Sequence, residues 1–85
     1  MGAPKVVLYA ADGCAYCSRA RNLLGSKGVA FEEIDVDAVP GAFGEMMARS
    51  GCSTVPQIFI GDKYIGGSDE LHTLDAAGRL DPLLK

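Results

Sequence analysis

Val6-Val7-Leu8-Tyr9 is an unbroken run of β-branched, aliphatic and aromatic side chains, with no polar residue alternating between them. A strand of that kind is buried on both faces, so its sheet must be covered from either side. The residues that follow supply the cover. After the turn pair Asp12-Gly13, the stretch from Cys14 to Lys27 reads as a helix. Cys17, Ala20, Leu23 and Leu24 recur there at helical spacing, Arg19, Arg21 and Asn22 face outward, and Gly25 and Gly28 provide the stop. Phe31 to Val36 is expected to be a second strand.

Pro40 is placed to start a second helix, whose stripe is Phe43, Met46 and Met47 and whose end is Gly51. Met46 and Met47 are both expected in the core. Gln57-Ile58-Phe59-Ile60 and Lys63-Tyr64-Ile65 read as strands joined by the hairpin pair Gly61-Asp62. Ser68-Asp69-Glu70 opens a third helix, with a hydroxyl as cap and two acids at the positive end of the dipole. Leu71, Leu74, Leu80, Leu83 and Leu84 line this helix and the tail, with breaks at Gly78 and Pro82. The order is therefore β-α-β-α-β-β-α. The first βαβ unit should be parallel and right-handed and the last hairpin antiparallel. This predicts a mixed four-stranded sheet flanked by helices, an α/β fold in one domain over residues 1–85.

Composition narrows the function. The chain carries 8 Lys+Arg against 11 Asp+Glu, a formal charge of −3. That balance disfavours nucleic acid or an anionic membrane as a partner. No stretch approaches the roughly 18 to 20 apolar residues that span a bilayer. The apolar run near the start ends at Asp12, too soon for a signal peptide. Met1-Gly2 is followed by Val6 where an acylation motif wants Ser or Thr. A cytoplasmic, reducing location is expected. Three cysteines are too few and too odd in number for a disulfide-stapled secreted scaffold.

Two of those cysteines sit together in Cys14-Ala15-Tyr16-Cys17, where the first strand hands over to the first helix. Residues three apart on a helix share a face, close enough for a disulfide. Cys14 falls at the helix N-terminus, where free N–H groups and the dipole favour a thiolate with a depressed pKa. Cys17 lies a turn further in, against the sheet. The asymmetry makes Cys14 the attacking thiol and Cys17 the resolving one. Structural zinc wants four ligands, and the chain adds only Cys52 and His72, which belong to no paired motif. A lone C-x-x-C beside a βαβ pattern favours redox chemistry over zinc, and over two inert core thiols. His72 is expected to face solvent.

Taken with Arg49-Ser50-Gly51, Thr54-Val55-Pro56-Gln57, Gly66-Gly67-Ser68-Asp69 and the tail Leu80-Asp81-Pro82-Leu83-Leu84-Lys85, the chain resembles the short bacterial dithiol glutaredoxins of the thioredoxin fold. The resemblance runs end to end. It implies a glutathione-dependent thiol–disulfide oxidoreductase that reduces protein–glutathione mixed disulfides and protein or small-molecule disulfides. It implies a cis Pro56 opposite Cys14, with Thr54 and Val55 holding the cysteinyl part of glutathione as an added strand does. Tyr16 would pack on glutathione from the edge of the site. Gly67 would allow close approach, the Ser68 and Asp69 N–H groups would take the γ-glutamyl carboxylate, and Asp69 its ammonium. A monomer is expected.

Three departures from the family pattern stand out. Ala15 replaces a common proline, a change associated in some relatives with a glutathione-ligated [2Fe-2S] cluster held by Cys14 across a homodimer. That is the alternative function. Ala11 replaces a lysine that helps hold the glycine carboxylate, and Arg49 or Arg19 could compensate. Cys52 replaces a basic or polar residue; it reads as a spare thiol, or as a site of regulatory glutathionylation or dimerisation.

Overall fold

A computed structural model describes residues 4–85; Met1-Gly2, considered above as an acylation signal, lies outside them. The elements are β1 (Val6–Ala10), α1 (Ala15–Ser26), β2 (Glu32–Asp35), α2 (Ala42–Ser50), β3 (Gln57–Ile60), β4 (Lys63–Gly66), α3 (Ser68–Ala76) and α4 (Leu80–Leu84). They build a four-stranded sheet in the order β2-β1-β3-β4. β1 runs parallel to β2 and antiparallel to β3, and β3 is antiparallel to β4. The mixed sheet and its helical cover match the sequence reading.

Every residue of β1 is buried, and alternate side chains serve different layers. Val6, Leu8 and Ala10 pack with Cys17, Ala20 and Leu24 of α1, Leu71 of α3, and Leu80 and Leu84 of α4. Val7 and Tyr9 pack with Ala42 and Met46 of α2 and with Phe59 of β3. Three helices therefore cover one face of the sheet and α2 covers the other. Lys27, the residue closing α1, pairs with Asp75 and with Asp81 (2.9 Å), fastening α1 to α3 and α4. Among the described residues, no helix is long and apolar enough to cross a membrane.

Several local expectations need correction. α2 starts at Ala42 and not at Pro40, because the chain turns first through Gly41 at φ 81, a conformation glycine adopts without strain. Gly25 lies within α1; the stop is Gly28, at φ 70. Ser68 is not the cap of α3. Gly67 holds that position, and its N–H donates to Glu70 Oε1 at 2.6 Å. The tail is a separate short helix, so the order ends β-α-α. Pro82 lies in its first turn, where the missing N–H costs nothing. Met46 is fully buried, but Met47 is 39% exposed, since a helix on the sheet's outer layer buries only one stripe.

Leu71→Ala should therefore cost about 2–5 kcal/mol by leaving a cavity under the sheet. Met47→Ala should stay within about 0.5 kcal/mol. Urea unfolding of both variants checks this, and equal losses would contradict the layer assignment.

Candidate active site

β1 delivers the chain to the Asp12-Gly13 turn, and Cys14 follows in extended conformation as the N-cap of α1 (φ −94, ψ 109). Its Sγ accepts the Cys17 N–H at 3.1 Å, the place usually filled by an oxygen of Ser, Thr or Asp. The sulfur thus sits at the N-terminal end of α1. Cys14 is half-buried, whereas Cys17 is fully buried one turn on. Burial, and after it the neighbouring Cys14 sulfur, push the Cys17 thiol up to about 11. All three cysteines are free thiols.

Beside Cys14 runs an open groove of about 260 Å³. Tyr16 forms one wall, with its ring 55% exposed and the Arg19 guanidinium 5.9 Å from its centre. Thr54, Val55 and Pro56 form the opposite wall, and the Val55–Pro56 peptide is cis. Gly67, Ser68 and Asp69, at the start of α3, close the end. All seven residues assigned to glutathione by resemblance therefore line one groove. Cys14 itself lines a second hollow with Ala11, Gly13 and Ser18, and its Sγ lies 3.9 Å from the carbonyl of Val55, a residue of the groove wall.

Backbone and space both call for glycine at Gly66, and space is tight at Gly67. A Cβ on Gly66, which has φ +121, would stand 2.8 Å from Glu70 Cγ, and one on Gly67 would stand 3.3 Å from the Pro56 carbonyl. Glu70 then satisfies the Gly67 N–H and leaves the Ser68 hydroxyl free of the capping role. Ser68 is 3% exposed, and its Oγ has no hydrogen-bond partner.

Three groove residues were not singled out from sequence: Gln57, Tyr64 and Glu70. Gln57 is buried at the head of β3, where its Nε2 donates to the Thr54 carbonyl (2.9 Å) and Oγ1 (3.3 Å). Its Oε1 accepts from Tyr64 Oη at 2.6 Å. One amide thus ties the Thr54–Pro56 loop to β4. The available signal was a polar residue heading the apolar run Ile58-Phe59-Ile60. Burial, and after it a contact with Cys52, push the Tyr64 phenol up to about 12.

Other candidates stand apart. Arg49 is engaged on the far face of the sheet, donating to Tyr9 Oη at 2.8 Å with its guanidinium 4.1 Å from the Phe59 ring centre. His72 does not face solvent as expected. It is half-buried, with Nε2 shielded and unpartnered, because α3 packs back toward α1. A larger groove of about 680 Å³ between β4, α3 and α4 is lined by no cysteine.

Comparison with known proteins gives the family. The glutaredoxin family model matches residues 6–65. Glutaredoxin 3 of Escherichia coli K12 is 54% identical over 80 residues, covering 94% of this chain and 96% of that one. The solution structure of a Brucella melitensis glutaredoxin is 48% identical with a TM-score of 0.86, over 100% of this chain and 92% of that one. A buckwheat glutaredoxin–glutathione complex superposes with a TM-score of 0.87 at 32% identity, over 96% of this chain and 76% of that one. The chain therefore belongs to the glutaredoxin family, whose shared chemistry is glutathione-dependent thiol–disulfide oxidoreduction.

Proposed function

We propose that this protein reduces protein–glutathione mixed disulfides, and protein or small-molecule disulfides, with Cys14 as nucleophile and glutathione as co-substrate. The observation that carries the reading is the Cys14 sulfur capping α1 at 3.1 Å from the Cys17 N–H, and 3.9 Å from the carbonyl of Val55 in the groove wall. The Cys14 thiolate attacks the glutathionyl sulfur of a mixed disulfide. A new S–S bond forms as the old one breaks, and the substrate protein leaves as a thiolate that takes a proton. A second glutathione thiolate then attacks the Cys14 adduct, releasing glutathione disulfide and restoring the Cys14 thiolate.

The groove residues have matching roles. The Val55 backbone pairs with the extended tripeptide, and Thr54 and Pro56 border its cysteinyl part. The Ser68 and Asp69 N–H groups at the start of α3 take the γ-glutamyl carboxylate, and Asp69 takes the ammonium. Gly67 lets the backbone approach, and Tyr16 packs over the ligand. For protein disulfides, Cys17 attacks the Cys14 mixed disulfide and leaves a Cys14–Cys17 disulfide for two glutathiones to reduce. A reducing compartment such as the cytoplasm supplies that glutathione, and the protein acts as a monomer.

Cys14→Ser should abolish turnover of a glutathionylated protein in a glutathione-coupled assay, while Cys17→Ser keeps it. Equal loss in both variants would overturn the division of roles. The Cys17 thiol at about 11 also predicts the order of labelling. In a Cys52→Ser background at neutral pH, iodoacetamide should modify Cys14 and spare Cys17, with Cys17 labelling rising only toward its pKa. Peptide mapping reads the ratio, and similar labelling of both at neutral pH would contradict the burial argument.

A second reading is a [2Fe-2S] carrier. Its support is Ala15, which is exposed in the first turn of α1 and leaves the surface beside Cys14 without a proline ring. No group of three or more His, Cys, Asp and Glu side chains gathers to hold a metal among the described residues. One chain would thus offer Cys14 alone, and a second copy and two glutathiones would complete the ligands. Such a cluster would supply electron or cluster transfer. Anaerobic reconstitution with iron, sulfide and glutathione should give a coloured dimer on this reading, and a colourless monomer would end it.

A further inference from the structure

Tyr64 carries a hydroxyl that the chemistry above leaves without a task. The residue lies on β4, the edge strand of the sheet, in the wall of the groove. Its ring is held by the neighbouring strand. Phe59 of β3 is buried and pairs with Tyr64 in register, with 5.2 Å between ring centres and 38° between planes. Phe59 is itself packed edge-on against Tyr9 at 5.8 Å and against the Arg49 guanidinium. The Tyr64 hydroxyl therefore has a fixed place, from which it donates to Gln57 Oε1 at 2.6 Å. Gln57 is fixed too, because its backbone pairs with Tyr9 of β1 and the residue is only 4% exposed. Its amide has one workable orientation, with Nε2 on Thr54 and Oε1 on Tyr64. Turned over, it would set its oxygen against the Thr54 carbonyl.

We infer that Tyr64 is a positioning residue for glutathione, acting through Gln57 on the Thr54–Pro56 wall and not by touching the ligand. This rests on the reading that the groove accepts glutathione. Thr54, Val55 and Pro56 lie between α2 and β3 in no regular element, so a side chain must hold them. The Thr54 carbonyl held by Gln57 shares one rigid peptide plane with the Val55 N–H. That peptide is trans, since the cis bond is the next one, Val55–Pro56. Its N–H therefore points opposite to the carbonyl, and fixing the carbonyl aims the N–H that an extended peptide pairs with. Without the Tyr64 hydroxyl, Gln57 Oε1 becomes a buried acceptor with no partner. An amide that rotates to find another donor loosens its hold on Thr54. The Cys14 sulfur stays where it is, because its hydrogen bond comes from the Cys17 N–H of α1. Tyr64 thus sets how well the peptide binds and leaves the thiol alone.

The test uses two variants of the full chain and their combination. Tyr64→Phe keeps the ring on Phe59 and removes only the hydroxyl. Gln57→Met keeps the length of the side chain and removes both polar ends. In the glutathione-coupled assay, Tyr64→Phe should raise KM for a glutathionylated protein at least about fivefold, the scale of one lost hydrogen bond, with kcat within about twofold. Iodoacetamide should label its Cys14 at the wild-type rate. A fall in kcat at unchanged KM, or slower labelling of Cys14, would overturn the positioning role. The double variant should have the KM of Gln57→Met alone, because both changes break one chain of hydrogen bonds. Effects that multiply would mean that Tyr64 meets the ligand directly, and the route through Gln57 would fall. S-methylglutathione, which has no thiol to react, gives the same comparison without turnover. Titrated by NMR, its dissociation constant should rise at least about fivefold in Tyr64→Phe, and an unchanged value would sink the inference. Turnover by the wild type reports separately on the proposed function. No turnover there, with S-methylglutathione still bound and weakened by Tyr64→Phe, would place the failure in that reading.

Discussion

The hydrogen bond from the Cys17 N–H to Cys14 Sγ joins folding and chemistry at one atom. A helix that starts where a buried strand ends must satisfy its first N–H groups locally. Here the acceptor is the sulfur proposed to react. The same contact that caps α1 thus fixes where that sulfur stands. Because β1 is buried on both faces, the sheet fixes where α1 begins, and with it the position of the sulfur.

The rest of the site is built against that fixed point by close backbone approach. The cis Val55–Pro56 peptide presents the Val55 carbonyl to Cys14, while Gln57 holds Thr54 on one side and Tyr64 on the other. Gly66 and Gly67 bring α3 to the same groove because side chains there would meet Glu70 or Pro56. A register shift opposite Ile58 and Phe59 lets β4 end at Gly66, just where α3 must begin. Capping by Glu70 leaves Ser68 buried at the groove with its hydroxyl unpaired.

Local pattern was enough for the elements whose residues leave little choice. The apolar run of β1, the helical spacing of Cys17, Ala20 and Leu24, and the Gly61-Asp62 hairpin are all where the sequence placed them. The readings that failed concern choices among chemically similar neighbours. Pro40 and Gly41 both suit a helix start, and only the direction of the turn selects the glycine. Gly67 and Ser68 both suit a cap, and the approach of Pro56 decides for the residue without a side chain. Met46 and Met47 differ only in which way α2 is rotated on the sheet. His72 was read from its isolation in sequence, which carries no information on how α3 leans against α1.

The sequence by itself determined the layered α/β fold, the C-x-x-C pair at a strand–helix junction, and seven of the residues that line the groove. Those follow from short-range periodicity, turn chemistry and the resemblance those motifs carry. Only the tertiary structure decided that Cys17 is fully buried and held well above the usual thiol range, that Gln57 locks the groove, and that Cys52 stands in its wall. Burial and contact across the sheet depend on segments distant in the chain, and no local pattern reports which side chains those segments bring together.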